Sequence, residues 1–185
     1  MNSLSWPDTP PRLTDGTVTL RVWNEGDVEA ILAACQDHDI QRWTRVPVPY
    51  LLDHATGLVR HYAPQLWQSR QGMSLAVAAS DGDELLGSCG LVAVDAENLV
   101  GEVGYWLAPW ARGRKMAQRA VGLLCQWAVT DGGLARLELY VEPGNGPSRA
   151  VAEKLGCTFE GLLRSKTLLH GVRRDLALYA FLPAG

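Results

Sequence analysis

The chemistry of this chain is densest between residues 112 and 119. There Arg112-Gly113-Arg114-Lys115-Met116-Ala117 runs into Gln118-Arg119, four cations in a short span, and no acid occurs from 103 to 130. The apolar residues after it recur at helical spacing, so the cations stand at a helix start. The first amides of a helix are unpaired and its dipole is positive there, so acids ordinarily occupy that turn. Cations oppose the dipole unless an anion sits among them. The pattern reads as a phosphate or pyrophosphate cradle; the alternative is a solvated basic helix start with no ligand. It is neither a G-x-x-x-x-G-K-[ST] loop nor a G-x-G-x-x-G fingerprint.

The other reactive residue types are scattered. Cys35, Cys89, Cys125 and Cys157 form no C-x-x-C pair, so they read as buried thiols in a reducing, cytoplasmic setting. A cysteine nucleophile served by a distant histidine has no local support. His38, His54, His61 and His170 lack an H-E-x-x-H arrangement, so no metal site is expected.

The elements that must position the cradle follow from periodicity. Residues 17–22 alternate and read as a strand. Asn24 can cap a helix whose apolar stripe is Val28, Ile31, Leu32 and Cys35. Residues 41–52, with Trp43, Pro47, Pro49 and Tyr50, read as irregular. Asp53 opens a second helix, which Pro64 should kink or end. Strands are expected at 73–79, 85–94 and 100–107, with Asp81-Gly82-Asp83 as a turn. A long helix spans about 116–129 and stops at Asp131-Gly132-Gly133. A strand at 136–141, a short helix at about 147–155, and two strands at 158–168 and 173–181 joined by His170-Gly171 complete the order β-α-α-β-β-β-α-β-α-β-β. This is one α/β domain over residues 1–185, with a mixed, mostly antiparallel sheet of about seven strands, helices on both faces and residues 1–16 as an extended lead-in.

The chain has 185 residues, 47% apolar and 20% charged, with a formal net charge of −3. That suits one soluble globular domain and argues against disorder or a coiled coil. No apolar run reaches the ~20 residues of a membrane span, and the start, Met1-Asn2-Ser3-Leu4, shows no leader pattern. No membrane partner is expected. Mild acidity, with no aromatic residues inside the 112–119 patch, weighs against nucleic acid.

The segment resembles the acyl-CoA-binding motif of the GNAT superfamily of N-acetyltransferases, [QR]-x-x-G-x-[GA], matched by Arg112 through Ala117 with Lys115 where that family usually has glycine. Further segments resemble, in order, the branch that acetylates ribosomal-protein N-termini. These are Leu20-Arg21 with Asp27, Glu102-Val103-Gly104-Tyr105-Trp106-Leu107, Asn145-Gly146-Pro147-Ser148, Lys154-Leu155-Gly156-Cys157-Thr158-Phe159, and Asp175-Leu176-Ala177-Leu178-Tyr179. The resemblance covers nearly the whole chain.

It implies direct transfer of an acetyl group from acetyl-CoA, as co-substrate and without a metal, to an amine: a protein N-terminus or a small amine. It places the CoA phosphates on Arg112, Gly113, Arg114, Lys115, Met116 and Ala117. The pantetheine arm and acyl carbonyl fall to main-chain groups of Tyr105, Trp106 and Leu107, whose side chains can pack in the core as well. Glu102 is implied as the base, acting through water, since a carboxylate in an apolar strand is costly unless hydrated or paired; a surface pairing with arginine is the other reading. Ser148 is implied as the acid or hydrogen-bond partner of the leaving thiolate, or else a capping neighbour. Asn145 either caps the short helix or contacts pantetheine. The acceptor falls between 41–50, with Trp43, and 168–174. A non-catalytic acyl-CoA-binding protein of the same fold is the second reading. Homodimers are common in the branch, which leaves a homodimer or a monomer open.

Overall fold

In the computed structural model, residues 4–183 are described; residues 1–3 of the expected lead-in, and with them the chain start, lie outside. Among the described residues eight strands form one sheet. They are β1 (Leu13–Thr14), β2 (Val18–Arg21), β3 (Met73–Ala79), β4 (Leu85–Asp95), β5 (Val100–Leu107), β6 (Arg136–Val141), β7 (Thr158–Leu169) and β8 (Val172–Phe181), ordered β1-β2-β3-β4-β5-β6-β8-β7. The strand beyond the expected seven is β1, two residues that pair antiparallel with β2. It is too short to show periodicity. Only β5 and β6 run parallel, because the long helix between them crosses one face of the sheet.

The helices are α1 (Val28–Ala34), α2 (His38–Trp43), α3 (Leu52–Gly57), α4 (Ala63–Gln68), α5 (Met116–Thr130) and α6 (Gly146–Lys154). Strand alternation feeds two cores. Leu75 and Val77 of β3 pack with Val121, Leu124 and Ala128 of α5. Ala76 of the same strand packs with Ile31, Ala34, Ala55 and Val59 on the opposite face. The helices therefore flank the sheet on both faces.

Two local expectations change. The region 41–52 is irregular only after Trp43, since α2 runs into it. The second helix does not stop at Pro64. Proline offers no N–H and crowds the preceding turn. Residues Leu58–Tyr62 widen into a π-turn, the Ala63 N–H donates to the Leu58 carbonyl, and the helix resumes with Pro64 in its first turn. Asn24 precedes a single 3₁₀ turn, in which the Asp27 carboxylate accepts the Asn24 N–H at 2.9 Å. That carboxylate also takes two hydrogen bonds from the buried Arg21 guanidinium, at 2.8 and 2.9 Å. Arg21 and Asp27 thus lock β2 to the entry of α1.

Candidate active site

Strands β5 and β6 pair only from Val100 to Glu102, against Arg136 to Glu138. Beyond that β5 keeps its partner β4 as far as Leu107, while β6 turns to β8. The sheet splays, and the gap between the two strands is part of a cleft of about 820 Å³ that residues of α2, α3, β3, β4 and the β7–β8 hairpin also line. Glu102, Tyr105, Trp106, Ala117, Asn145 and Ser148 all line it.

The splay exposes main chain. The Ala108 N–H donates to the Leu86 carbonyl of β4, and strand groups alternate sides. The N–H and C=O groups of Val103, Tyr105 and Leu107 therefore face the splay. The Trp106 carbonyl faces β4 instead: a Cβ on Gly87 would stand 2.2 Å from it. The three residues expected to present main chain thus divide. Tyr105 and Leu107 direct theirs to the cleft, and Trp106 contributes its side chain. A Cβ on Gly104 would lie 2.5 Å from Val92 Cγ1, so any larger residue there would force Val92 to shift.

At the far end lies the start of α5. Gly113 has φ +77° and Lys115 φ +61°, so the chain makes two left-handed steps before the helix. Lys115 pays backbone strain at a position that favours glycine. The first helical hydrogen bond runs from the Arg119 N–H to the Lys115 carbonyl, leaving the amides of Met116, Ala117 and Gln118 without an intrahelical acceptor. These amides fit a phosphate. The cations do not act as one group. Arg112 bonds Asp37 at 2.5 Å and approaches Asp39 at 3.6 Å, and Arg119 bonds Asp15 at 2.6 Å. Arg114 donates to the Trp110 carbonyl at 3.0 Å. Among the described residues, Arg114 and Lys115 have no carboxylate partner. The acid-free stretch in the sequence is thus half neutralised by aspartates from distant segments, and two cations remain for an anion.

Ser148 stands in the first turn of α6, where the Asn145 side-chain oxygen accepts its N–H at 3.2 Å. Asn145 therefore caps, and its side-chain NH₂ is the part left to meet a ligand. The Ser148 hydroxyl lies 2.9 Å from the Tyr105 hydroxyl. Burial pushes the Tyr105 phenol up to about 12, so it keeps its proton and can donate to Ser148. The sequence does not announce this hydroxyl pair: from it Tyr105 is expected to present main chain and to pack its ring in the core. No local signal links residues 43 positions apart.

Glu102 lies on the opposite face of β5 from Tyr105, half-buried. Burial raises its pKa above the usual carboxylate range. Arg45 and Lys166 pull it back, and Glu138 raises it further. Arg45 Nη2 is 4.0 Å from Glu102 Oε1. Both expected acceptor segments reach the cleft, 41–50 through Trp43, Val46 and Tyr50 and 168–174 through Leu169, with Thr167 and Leu176 lining it from just outside the second. They are tied together by His170, whose Nε2 lies 2.9 Å from the Gln41 carbonyl and 3.1 Å from the Thr44 carbonyl. Carbonyls only accept, so Nε2 carries the proton.

All four cysteines are free and buried, and burial raises Cys35 and Cys125 to about 12. Neutral, enclosed thiols are poor nucleophiles. Among the described residues no group of three or more His, Cys, Asp or Glu could hold a metal ion, and no helix is long and apolar enough to cross a membrane.

Residues 17–158 match the family model described as the acetyltransferase (GNAT) domain. An uncharacterized N-acetyltransferase, p20, of Bacillus licheniformis is 27% identical over 165 residues, 89% of this chain and 92% of that protein. Among solved structures, RimJ of Mycobacterium smegmatis in complex with CoA-disulfide superposes with a TM-score of 0.83 at 24% identity, covering 98% of this chain and 90% of that one. RimL, a ribosomal L7/L12 alpha-N-protein acetyltransferase in complex with coenzyme A, also gives a TM-score of 0.83, at 21% identity, covering 93% and 98%. At these identities the superpositions show the shared fold.

Proposed function

The chain belongs to the GNAT acetyltransferase family, and we propose that it moves the acetyl group of acetyl-CoA directly onto the N-terminal amine of a protein. The observation that carries this reading is the β5–β6 splay, which runs between a cradle of open amides at α5 and a half-buried carboxylate, Glu102. The α5 amides, with Arg114 and Lys115, take the phosphates, as helix N-termini do. The main-chain groups of Tyr105 and Leu107 hold the pantetheine arm and acyl carbonyl.

The amine nitrogen attacks the acetyl carbon, and an N–C bond forms. The proton it sheds passes through water to Glu102, whose raised pKa suits a base. The C–S bond breaks with its electron pair going to sulfur, where the Ser148 hydroxyl, held by Tyr105, meets the thiolate. A proton returned to sulfur gives free CoA and the amide. The fold is shared with acetyltransferases named for ribosomal-protein N-termini, and Trp43 and Tyr50 line the acceptor side of the cleft, which supports a peptide end over a compact amine.

Acetyl-CoA at about 100 times its Kd should stabilise the protein by about 2.7 kcal/mol, seen as a raised Tm. Short peptides with free N-termini should be acetylated at the α-amine, located by mass spectrometry, and N-terminally blocked peptides should not. Acetylation confined to polyamines, amino acids or aminoglycosides would refute the protein acceptor.

A further inference from the structure

We propose that the acceptor is a polypeptide whose first residue is followed by acidic side chains, gripped by Arg42, Arg45 and Lys166 on the lip of the cleft. This rests on the N-terminal acceptor reading above. The two segments that His170 ties together are free of acids: none occurs from 40 to 52 or from 161 to 174.

Arg45 lines the cleft, and Arg42 and Lys166 each lie over an aromatic ring that lines it. Arg42 is exposed and stacks over Trp43, 4.4 Å from the ring centroid. Arg45 lines the cleft with its side chain 69% exposed. Lys166 is exposed, 5.3 Å from the ring centroid of Tyr140 on the other wall. Among the described residues, Arg42 and Lys166 have no carboxylate within ion-pair reach, and Arg45 has only Glu102, at 4.0 Å. The acids bounding these segments are Asp39, which approaches Arg112 at 3.6 Å, Asp53 at the base of α3, and Glu160 and Asp175 on the hairpin.

Glu102 and Glu142 are the partly buried carboxylates of the cleft, Glu142 with Arg174 3.9 Å away, and they attract an incoming ammonium group. The three cations are exposed; of the exposed acids that also line the cleft, Asp39 approaches Arg112 and Asp53 stands at the start of α3. A strand advances about 3.3 Å per residue, so an extended peptide with its amine at Glu102 lays its next few side chains across the lip. Acidic side chains there meet unpaired cations; basic ones meet repulsion and weaker capture. The lip thus runs against the chain's net charge of −3.

The test uses three peptides with one common first residue and acidic, neutral or basic residues at positions two to five. The acidic peptide should exceed the basic one in kcat/KM by about tenfold or more, and the ratio should shrink as salt screens the exposed charges. In the double variant Arg45→Glu, Lys166→Glu the order should invert. Comparing two peptides on one enzyme cancels any change in the ionisation of Glu102. Equal kcat/KM for all three peptides overturns the acidic preference and leaves the N-terminal acceptor standing. Acetylation of none of them, with small amines modified, overturns both.

Discussion

Glu102 carries opposing demands in one side chain. Its half-burial disfavours the charged form, while Arg45 and Lys166 favour it and Glu138 does not. The acid limb of the kcat/KM profile should therefore lie above the ordinary carboxylate range, and Lys166→Gln should move it higher by removing one of the favouring charges. The stability sign is opposite to that of a salt-bridged carboxylate. Between the ordinary and the raised value the folded state binds more protons than the unfolded one, so this group's contribution falls as pH rises through that window. Glu102→Gln should remove that dependence, cut turnover by about 100-fold or more, and melt at pH 7 no lower than the parent. A sharp loss of Tm would make Glu102 a structural residue instead. For the hydroxyl pair, Ser148→Ala and Tyr105→Phe should each lower kcat with acetyl-CoA affinity nearly unchanged. The double variant should be little worse than Ser148→Ala, because Tyr105 acts through Ser148. Additive losses would show two independent roles.

The loop before α5 is the element to which the proposed function assigns the CoA phosphates. Its two left-handed residues aim the open amides of the helix start, and Lys115 holds one of those positions at a cost glycine avoids. Lys115→Gly should leave stability unchanged or raise it by up to about 1 kcal/mol in urea unfolding, as released strain is offset by the freer unfolded chain. Isothermal titration should show a few-fold weaker Kd for CoA, because a cation without a carboxylate partner is lost. Unchanged affinity would mean that the ammonium group points away from the phosphates. At this scale most of the fold is legible in the sequence. The 3.6-residue stripe of α5 and the alternation of β3 to β5 declare themselves because each buries a continuous face. Strand β1 and the π-turn before Pro64 do not: one is held by its neighbour, the other by a local register change.

Across the whole molecule, the wall proposed to meet the acceptor is assembled from segments far apart in the chain. The hairpin β7–β8 meets the end of α2 through His170, one imidazole N–H shared by two carbonyls. His170→Ala should loosen that wall, raising the acceptor KM several-fold while the Kd of acetyl-CoA stays within error. A matching loss of cofactor affinity would mean that the hairpin supports the whole cleft. The same long-range logic governs charge. Asp37 and Asp15 pair with Arg112 and Arg119, so the basic count at α5 overstates the local positive charge.

The sequence by itself determined the elements, the α/β class and the phosphate-suited helix start, because periodicity, turn residues and local charge are properties of neighbours along the chain. It also singled out Glu102 and Ser148, through the ordered set of motifs. Tertiary structure alone decided that they share one cleft. Glu102 and Tyr105 point to opposite faces of one strand by simple alternation, and an intact sheet would keep them apart. The parting of β5 from β6 opens a passage between those faces, so that the carboxylate and the Tyr105–Ser148 pair line one cleft.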